Sequence, residues 1–476
     1  MTARAFGGYA PRPMTATPTP IEVKALREAF AQKNITSVKV GGFDLDGVLR
    51  GKYVSLDKFW GALDDGIGFC DVVFGWDICD VLYDNARVTG WSTGYPDAHA
   101  RIDTTTMRTI PWEPGTAAFL LDFVNTDGSG HPACPRSLLK TVLARAAALG
   151  YSATFAAEFE FFLFKETPES LRSKGYRDLT PLSPGMFGYS WVREGQNSEL
   201  CHAILDEMAA IDIPIEGLHT ETGPGVYEVA IRYDEALRMA DKAALFKSAM
   251  KQLAARRGLS VTFMAKWNAD LPGSSGHLHQ SLWATDPASA SKRPVFHDPK
   301  GPHRLSAIAR HYLAGQLALM PELTALYSPT INSYKRYVPG VWAPLTASWG
   351  VDNRTCAIRA IPGGPSAARL EYRQTAADIN PYVAIATCLA AGLWGIEKKL
   401  APPPPATGDA STASSPFAPL PRTLKDANAL LSQSAAARAI LGEPFVDHYV
   451  RSRDWEVRQY ERAVTEWELR RYFEAI

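Results

Sequence analysis

The chain has 476 residues, of which 46% are hydrophobic and 21% are charged, as is ordinary for a globular protein of two or more domains. Fifty Lys and Arg residues balance fifty Asp and Glu residues, which excludes a global electrostatic attraction to nucleic acid or to an anionic membrane. No run of about 18 apolar residues occurs, so we expect no transmembrane helix.

The N-terminal stretch and the cysteines indicate the cellular compartment of the protein. Residues 1–20 lack the apolar segment of a signal peptide, and we interpret them as a flexible arm. The six cysteines are scattered, without a CxxC pair or zinc spacing, so we expect them to be reduced. We therefore predict a cytoplasmic protein with no nucleic-acid or membrane partner.

A small mixed domain is predicted for residues 21–130. It starts with a helix in "IEVKALREAFAQKN", where the apolar residues recur at helical spacing. The segment "TSVKVGGFDLDGVLRGKYVSL" alternates and turns at Asp46-Gly47, which is typical of a β-hairpin. "PGTAAFLLDFVNTDGSG" then predicts a strand followed by a turn.

A larger domain is predicted for residues 131–476. The helix "CPRSLLKTVLARAAALGY" has Pro135 near its start and Gly150 at its end. A strand at residues 153–164, a helix ending at Gly258 and the strand "LSVTFMAKW" follow. The absence of a strict βαβ alternation favours an α+β fold. Residues 401–416, "APPPPATGDASTASSP", predict an exposed loop that does not pack.

The strand "ATFAAEFEFFLF" places Glu158 and Glu160 on one face, because side chains alternate along a strand. Both faces also carry apolar residues, so both look covered. Two shielded carboxylates side by side are unfavourable unless a cation neutralises them, and hard divalent cations prefer carboxylate oxygens. A solvated strand face is the ordinary alternative for one such pair.

Further acids and histidines favour the metal interpretation. They occur in "HTETGPGVYEVAI", "GSSGHLHQSL" and "ARLEYR", and they are Glu221, Glu228, His277, His279 and Glu371. With the first pair, seven acids and histidines lie inside apolar strands, and six such groups can serve two metal sites.

Arginines are concentrated late in the chain, among apolar residues and Pro-Gly turns: Arg336, Arg354, Arg359, Arg369 and Arg373. A solvated face is again the ordinary alternative, but guanidinium groups suit carboxylates and phosphates. Metals together with arginines indicate phosphoryl transfer. A P-loop or protein-kinase mechanism is excluded, since neither signature occurs.

The segments "AEFEFFLF", "HTETGPGVYEVAIRY", "GSSGHLHQSL", "NSYKRYVPG", "DNRTCAIRAI" and "RLEYRQTAADINPY" resemble, in this order, the motifs of the type I glutamine synthetase family. The resemblance spans residues 35 to 395 and implies a β-grasp-like N-terminal domain. It also implies a catalytic domain with a curved, mainly antiparallel sheet flanked by helices. Family members are usually dodecamers of two stacked rings, with each active site between neighbouring subunits.

The resemblance implies roles for individual residues. Glu160, Glu221 and Glu228 would hold one divalent cation, Mg²⁺ or Mn²⁺, and Glu158, His277 and Glu371 would hold another. The residues implied to contact ATP are Glu216, Tyr233, His279 and Ser281, with Arg354, Arg359 and Arg369 at its phosphates. The residues implied to bind glutamate are Arg336, Arg373 and Gly273. Asp44, with Asp46 as an alternative, would reach the ammonium site of the neighbouring subunit.

Two departures from the family pattern affect the predicted function. In "RYVPGVWAP", Trp342 stands where ammonia-using members carry a glutamate, and the loop after Ala401 replaces the tyrosine-bearing segment used for adenylylation. We therefore expect a member of the γ-glutamylamine ligase branch. It would use ATP to join the γ-carboxylate of glutamate to an alkyl, aromatic or polyamine substrate through γ-glutamyl phosphate. The alternatives are a glutamine synthetase using ammonia and a non-catalytic structural or regulatory relative.

Overall fold

The computed structural model describes residues 19–285, 292–411 and 416–476. Most of the predicted N-terminal arm, residues 1–18, lies outside the described residues. None of the helices in the described ranges combines the length and apolarity needed to cross a bilayer. All six cysteines lie within the described residues and are free.

The first part of the chain forms a five-stranded sheet in the order β2-β1-β5-β4-β3. Its strands are β1 (Ser37–Phe43), β2 (Leu49–Val54), β3 (Ile67–Cys70), β4 (Asp97–Thr109) and β5 (Thr116–Val124). Strands β1 and β5 are parallel and the other neighbours are antiparallel. Helices α1 (Pro20–Gln32) and α2 (Leu56–Asp65) bury Leu26, Phe30 and Phe59 in the core of this sheet.

The predicted hairpin is formed by β1 and β2, with Gly47 in its turn. The φ of Gly47 is +79°, a left-handed conformation that favours glycine. The turn contacts the second part of the chain, because Asn380 Nδ2 donates to the carbonyl oxygens of Asp44 and Leu45, each at 3.1 Å. The hairpin is therefore fixed by a residue more than 300 positions away.

The second part of the chain contains a curved nine-stranded sheet. Its strands are β6 (Tyr151–Phe164), β7 (Ile215–Thr220), β8 (Val226–Glu235), β9 (Ser260–Thr262), β10 (Leu278–Thr285), β11 (Lys292–Pro294), β12 (Trp349–Val351), β13 (Ile358–Ile361) and β14 (Arg369–Tyr372). The main order is β12-β13-β14-β10-β6-β8-β7, with β11 beside β10 and β9 beside β6. Only β12 and β13 pair in parallel.

Helices flank this sheet and continue to the C-terminus. They are α3 (Pro135–Ala148), α4 (Pro168–Ser173), α5 (Trp191–Gln196), α6 (Ser198–Ala210), α7 (Ala236–Ala255), α8 (Ala307–Tyr327), α9 (Pro381–Lys398), α10 (Leu424–Gln433), α11 (Ala435–Leu441), α12 (Glu443–Arg462) and α13 (Glu466–Tyr472). Helices α8 and α9 approach so closely that a Cβ on Gly315 would lie 2.3 Å from Ala391 O. The α+β fold predicted from the sequence is confirmed.

The two faces of β6 differ in exposure, contrary to the expectation that both are covered. Phe159 and Phe161 are fully buried, and Phe246 of α7 packs on both rings. Glu158 and Glu160 on the opposite face are only partly buried. The expectation was wrong because it rested on Phe162 and Phe164, which lie on the same face further along the strand and are buried. The face is partly open to solvent at Glu158 and Glu160.

The loop that starts at residue 401 packs more closely than its composition indicates. Residues 401–411 form neither helix nor strand, yet Pro403 O accepts a hydrogen bond from Trp349 Nε1 at 2.8 Å. Ala406 N donates to Trp349 O, and Ala410 is buried. The loop packs because β12 at the sheet edge offers it backbone partners, which its Pro/Ala/Ser composition does not reveal.

Candidate active site

The strand register brings the acidic side chains together. Strand β6 lies between β8 and β10, with Glu160 directly opposite Glu228. One strand further, His279 of β10 lies opposite Glu371 of β14. Side chains directly opposite each other share a face of the sheet. The acids and histidines from four strands therefore line the half-exposed face of β6.

A first cluster of possible metal ligands consists of His219, Glu221 and Glu228, whose ligand atoms all lie within 4.8 Å of one another. His219 Nε2 lies 3.1 Å from Glu228 Oε1. Glu160 adjoins this cluster and accepts a hydrogen bond from Ser275 N at 2.8 Å. Burial, together with the neighbouring charge of Glu228, raises the pKa of Glu160 to about 8. Glu160 and Glu228 therefore lie close enough for each to disfavour the charge of the other.

A second cluster consists of Glu158, His279 and Glu371, again with ligand atoms within 4.8 Å of one another. His277 adjoins it, because its Nδ1 lies 3.6 Å from Glu158 Oε2 and 3.5 Å from Glu371 Oε1. Burial raises the pKa of Glu371, but His277 and Arg373 outweigh this effect and bring the pKa to about 2. The second cluster is thus held ionised by cationic neighbours.

Both clusters fit divalent cations by their donor chemistry. Each combines carboxylate oxygens, which suit Mg²⁺ and Mn²⁺, with an imidazole nitrogen. His277 Nε2 is buried without a hydrogen-bond partner among the described residues. The two clusters meet at Glu158 and Glu160, which occupy alternate positions on one strand.

The three arginines predicted to bind the phosphates differ in their contacts. Arg359 Nη1 donates to Glu371 Oε2 at 2.9 Å, and its other nitrogens bind Asp352. Arg369 Nε donates to His279 Nδ1 at 3.2 Å. Arg354 is exposed to solvent. Arg354 therefore has the freest guanidinium group of the three.

A cavity of about 390 Å³ opens beside the second cluster. Its lining includes Glu158 and five of the residues predicted to contact ATP: Glu216, Tyr233, His279, Ser281 and Arg369. Trp283 also lines it and donates from Nε1 to Ser281 Oγ at 3.3 Å. An apolar wall with a few polar groups is typical of a small-molecule binding site.

Arg336 and Arg373, the predicted glutamate-binding residues, are both buried. Arg336 Nη2 donates to Gln374 O at 2.5 Å and to Thr375 O at 2.9 Å, while its Nε has no partner among the described residues. Arg373 contacts Glu371 of the second cluster. A Cβ on Gly273 would lie 2.9 Å from Arg336 Cβ, so this glycine permits the close approach of the arginine.

Asp44 and Trp342 lie in very different surroundings. Asp44 is buried, and its carboxylate accepts hydrogen bonds from Asp46 N, Val48 N and Arg50 Nε. Burial and the charge of Asp46 raise the pKa of Asp44 to about 7. Trp342 lies in the loop that follows Gly340, and 70% of its surface is exposed.

The sequence analysis missed His219 and Tyr189. His219 lies two positions before Glu221, so the alternation rule that paired Glu158 with Glu160 would have found it. Tyr189 stacks on the His219 ring, with centroids 4.2 Å apart. Burial, together with the charges of Glu221 and Glu228, raises the pKa of its hydroxyl group. No periodicity marks Tyr189, because it lies in a loop before α5.

Comparison with known proteins identifies the class of molecule to which this site belongs. The sequence model of the glutamine synthetase catalytic domain matches residues 132–472. The chain therefore belongs to the glutamine synthetase family of ligases, whose members use ATP and divalent metal ions.

Individual relatives extend the comparison to nearly the whole chain. A type-1 glutamine synthetase 2 of Dictyostelium discoideum is 47% identical over 92% of this chain and 84% of its own. A glutamate–isopropylamine ligase of a Pseudomonas species is 39% identical over 96% and 98%. A gamma-glutamylethanolamide synthetase of Streptomyces coelicolor is 39% identical over 97% and 98%.

Among solved structures, GmaS in complex with ADP superposes with a TM-score of 0.82 at 29% identity and covers 94% of this chain and 99% of its own. The same protein without ligand gives a TM-score of 0.80. The resemblance to the glutamine synthetase family, including its γ-glutamylamine ligase branch, is confirmed.

Proposed function

We propose that the protein is an ATP-dependent ligase that joins the γ-carboxylate of glutamate to a primary amine. The observation that carries this proposal is the convergence of two acidic clusters, a nucleotide-sized cavity and two buried arginines on one face of the nine-stranded sheet. The γ-phosphoryl group passes to a carboxylate oxygen of glutamate and ADP leaves. The amine nitrogen then attacks the carbonyl carbon, phosphate leaves, and the nitrogen loses a proton.

The carboxylates and histidines hold two divalent cations in this proposal. Glu160, Glu221 and Glu228 bind one, with His219 as a further donor. Glu158, His277 and Glu371 bind the other, and both neutralise the charge of the phosphates when bound. The presence of all six predicted ligands is an argument against a non-catalytic relative.

The arginines divide between the phosphates and glutamate. In this proposal Arg354, Arg359 and Arg369 bind the phosphates, and Arg369 lines the cavity. Arg336 and Arg373 bind the glutamate carboxylate. A guanidinium group can bind a carboxylate through two parallel hydrogen bonds. Glu371 connects both groups, since Arg359 and Arg373 each donate to it.

An organic amine is the proposed acceptor. Trp342 lacks a carboxylate that could pair with ammonium, whereas its ring can bury apolar surface or attract an alkylammonium group. The names of two relatives, the isopropylamine ligase and the ethanolamide synthetase, support this choice. Ammonia is the second candidate, favoured by the 47% identity to a type-1 glutamine synthetase.

The proposed active form is a homo-oligomer, a dodecamer by analogy with the family. In this form Asp44, or Asp46 beside it, reaches the site of a neighbouring subunit.

The test measures phosphate release with ATP, magnesium and glutamate across a panel of amines that includes ammonia. We expect an alkyl or aromatic amine to exceed ammonia in kcat/KM by roughly thirty-fold, which corresponds to about 2 kcal/mol of buried apolar surface. Trp342→Glu should shift the preference toward ammonia, whereas Val341→Glu, an exposed neighbour in the same loop, should not. Equal rates with ammonia and the best organic amine would contradict the proposed acceptor.

A further inference from the structure

Arg336 lies on a short turn that is supported both by hydrogen bonds between Thr330 and Ser333 and by Asp378, a residue further along the chain. The turn Asn332–Arg336 follows α8, and Ser333 within it is completely buried. Ser333 Oγ donates to Asp378 Oδ2 at 2.6 Å, and Thr330 Oγ1 donates to the same oxygen at 2.8 Å. One carboxylate oxygen of Asp378 thus binds both hydroxyl groups that flank the start of the turn.

The same residue reaches the segment that carries the other glutamate-binding arginine. Asp378 lies five positions after Arg373, and Arg336 Nη2 donates to the intervening carbonyl oxygens of Gln374 and Thr375. The turn and this segment are therefore joined by Arg336 and by Asp378, and Tyr337 beside the turn also donates to Gln374 O at 2.9 Å. Asp378 is the connection that holds the start of the turn.

The carboxyl group of Asp378 is buried among partners that stabilise it in place. Burial raises the pKa of Asp378, and the hydrogen bonds from Ser333 and Thr330 oppose this effect. The hydrogen-bond partners of Arg336 itself are a hydroxyl and neutral backbone carbonyls. Asp378 therefore acts on the turn through its two hydrogen bonds, while the Nε of Arg336 remains available.

We propose that Asp378 is a positioning residue that holds Arg336 at the spacing from Arg373 needed to bind glutamate. This inference rests on the proposed function of the two arginines. Asp378 touches no substrate in this scheme and acts only through the turn. Its loss should therefore affect glutamate binding much more than the chemical step.

The test compares steady-state parameters of the full-length oligomer for glutamate and for ATP. We expect Asp378→Asn to raise the KM for glutamate about ten-fold, while kcat and the KM for ATP change less than about two-fold. Thr330→Val should raise the glutamate KM in the same direction, and Thr330→Ser, which keeps the hydroxyl group, should restore it. Asparagine keeps an oxygen that can accept from both hydroxyl groups, but more weakly than a carboxylate. Asp378→Asn and Thr330→Val combined should act less than additively, since both weaken the same contact.

A matched control separates positioning from general stability. Glu166 is a buried carboxylate that binds Ser170, Lys174 and Thr180 outside the site. Glu166→Gln should lower the Tm without changing the glutamate KM. The inference is overturned if Asp378→Asn lowers the Tm as Glu166→Gln does and leaves the KM for glutamate unchanged. If Asp378→Asn does not fold, an unchanged glutamate KM in Thr330→Val overturns it.

Arg336→Lys distinguishes this failure from failure of the proposed function. If Arg336→Lys leaves the glutamate KM unchanged, the assignment of Arg336 to glutamate binding is wrong, and the role proposed for Asp378 is wrong as well. If Arg336→Lys raises the KM and neither Asp378→Asn nor Thr330→Val does, only the role of Asp378 is wrong.

Discussion

His277 and His279, two positions apart on one face, differ in the hydrogen bonds that they make. Arg369 Nε donates to His279 Nδ1, so the ring proton of neutral His279 lies on Nε2, which faces Glu158 Oε1 at 3.0 Å. His277 directs Nδ1 toward both Glu158 and Glu371. Because Nδ1 of His279 already accepts from Arg369, we keep His277 as the proposed metal ligand and place His279 beside ATP.

This difference predicts separate effects of the two substitutions. His277→Ala should raise the Mn²⁺ or Mg²⁺ concentration for half-maximal activity at least about ten-fold, because one ligand is lost. His279→Ala should raise the KM for ATP at saturating metal. Metal titrations of both variants check this, and the reverse pattern would assign the second cation to His279.

Substitution of the glutamate-binding arginine gives a second test at this scale. Arg373→Lys should raise the KM for glutamate strongly, because an ammonium group lacks the planar pair of donors of a guanidinium. Arg422, which donates to Tyr337 O at 2.6 Å, provides a matched Arg→Lys control. An unchanged glutamate KM in Arg373→Lys would contradict its assignment.

The alternation of side chains made part of the site predictable from the sequence. It paired Glu158 with Glu160, which lie within β6, and His277 with His279, which lie just before and within the start of β10. The distance between the pairs was not predictable, since it depends on the β6–β10 register that joins residues more than 100 positions apart. Tyr189 was not predicted either, because it lies in a loop and reaches His219 only in the folded chain.

At the scale of elements, the five-stranded sheet is joined to the helices of the second part by a buried ionic network. Arg136 of α3 binds Asp103 of β4 at 2.9 Å, Asp122 of β5 at 2.5 Å and Asp241 of α7 at 2.9 Å. Lys140 also binds Asp122. None of these charges shows a periodicity that a sequence would reveal. Strand β5 and helices α3 and α7 were predicted, whereas β4, which carries Asp103, was not.

This network predicts a pH-dependent contribution to stability. Burial raises the pKa of Asp103, but Arg136 and Lys140 outweigh it and bring the pKa to about 2, from an ordinary 3.8. A pKa lowered on folding stabilises the protein above the unfolded pKa, here by about 2 kcal/mol. This contribution is lost as the pH falls through the folded pKa, with roughly half gone near pH 3.

Urea unfolding at pH 7 and pH 3 measures this effect. Asp103→Asn should lower the free energy of unfolding by about 2 kcal/mol at pH 7 and by roughly half as much at pH 3. Asp97→Asn, on an exposed position of the same strand, should change neither value. An equal loss from Asp103→Asn at both pH values would show that its charge does not contribute.

At the scale of the whole molecule, the question is whether one chain completes its own site. The hairpin turn is held rigidly, because Arg50 binds Asp44 at 2.8 Å and Arg453 of α12 binds Asp46 at 2.6 Å. Asp44 accepts three hydrogen bonds within this hairpin. A turn supported in this way is suited to be presented to a neighbouring subunit, as the proposed oligomer requires.

Mixed oligomers test this arrangement. Asp44→Ala and Glu160→Ala should each be inactive alone, because one lacks the turn carboxylate and the other lacks a metal ligand. If a site combines the turn of one subunit with the clusters of another, random reassembly from equal amounts should restore roughly a quarter of wild-type activity, since half the turns and half the clusters are intact. Mixing Glu160→Ala with Glu228→Ala should restore no activity, because both substitutions remove a ligand of the same metal cluster and every chain in the mixture then lacks one. Asp46→Ala in place of Asp44→Ala decides which carboxylate is shared, and absence of activity in every mixture would place the complete site within one chain.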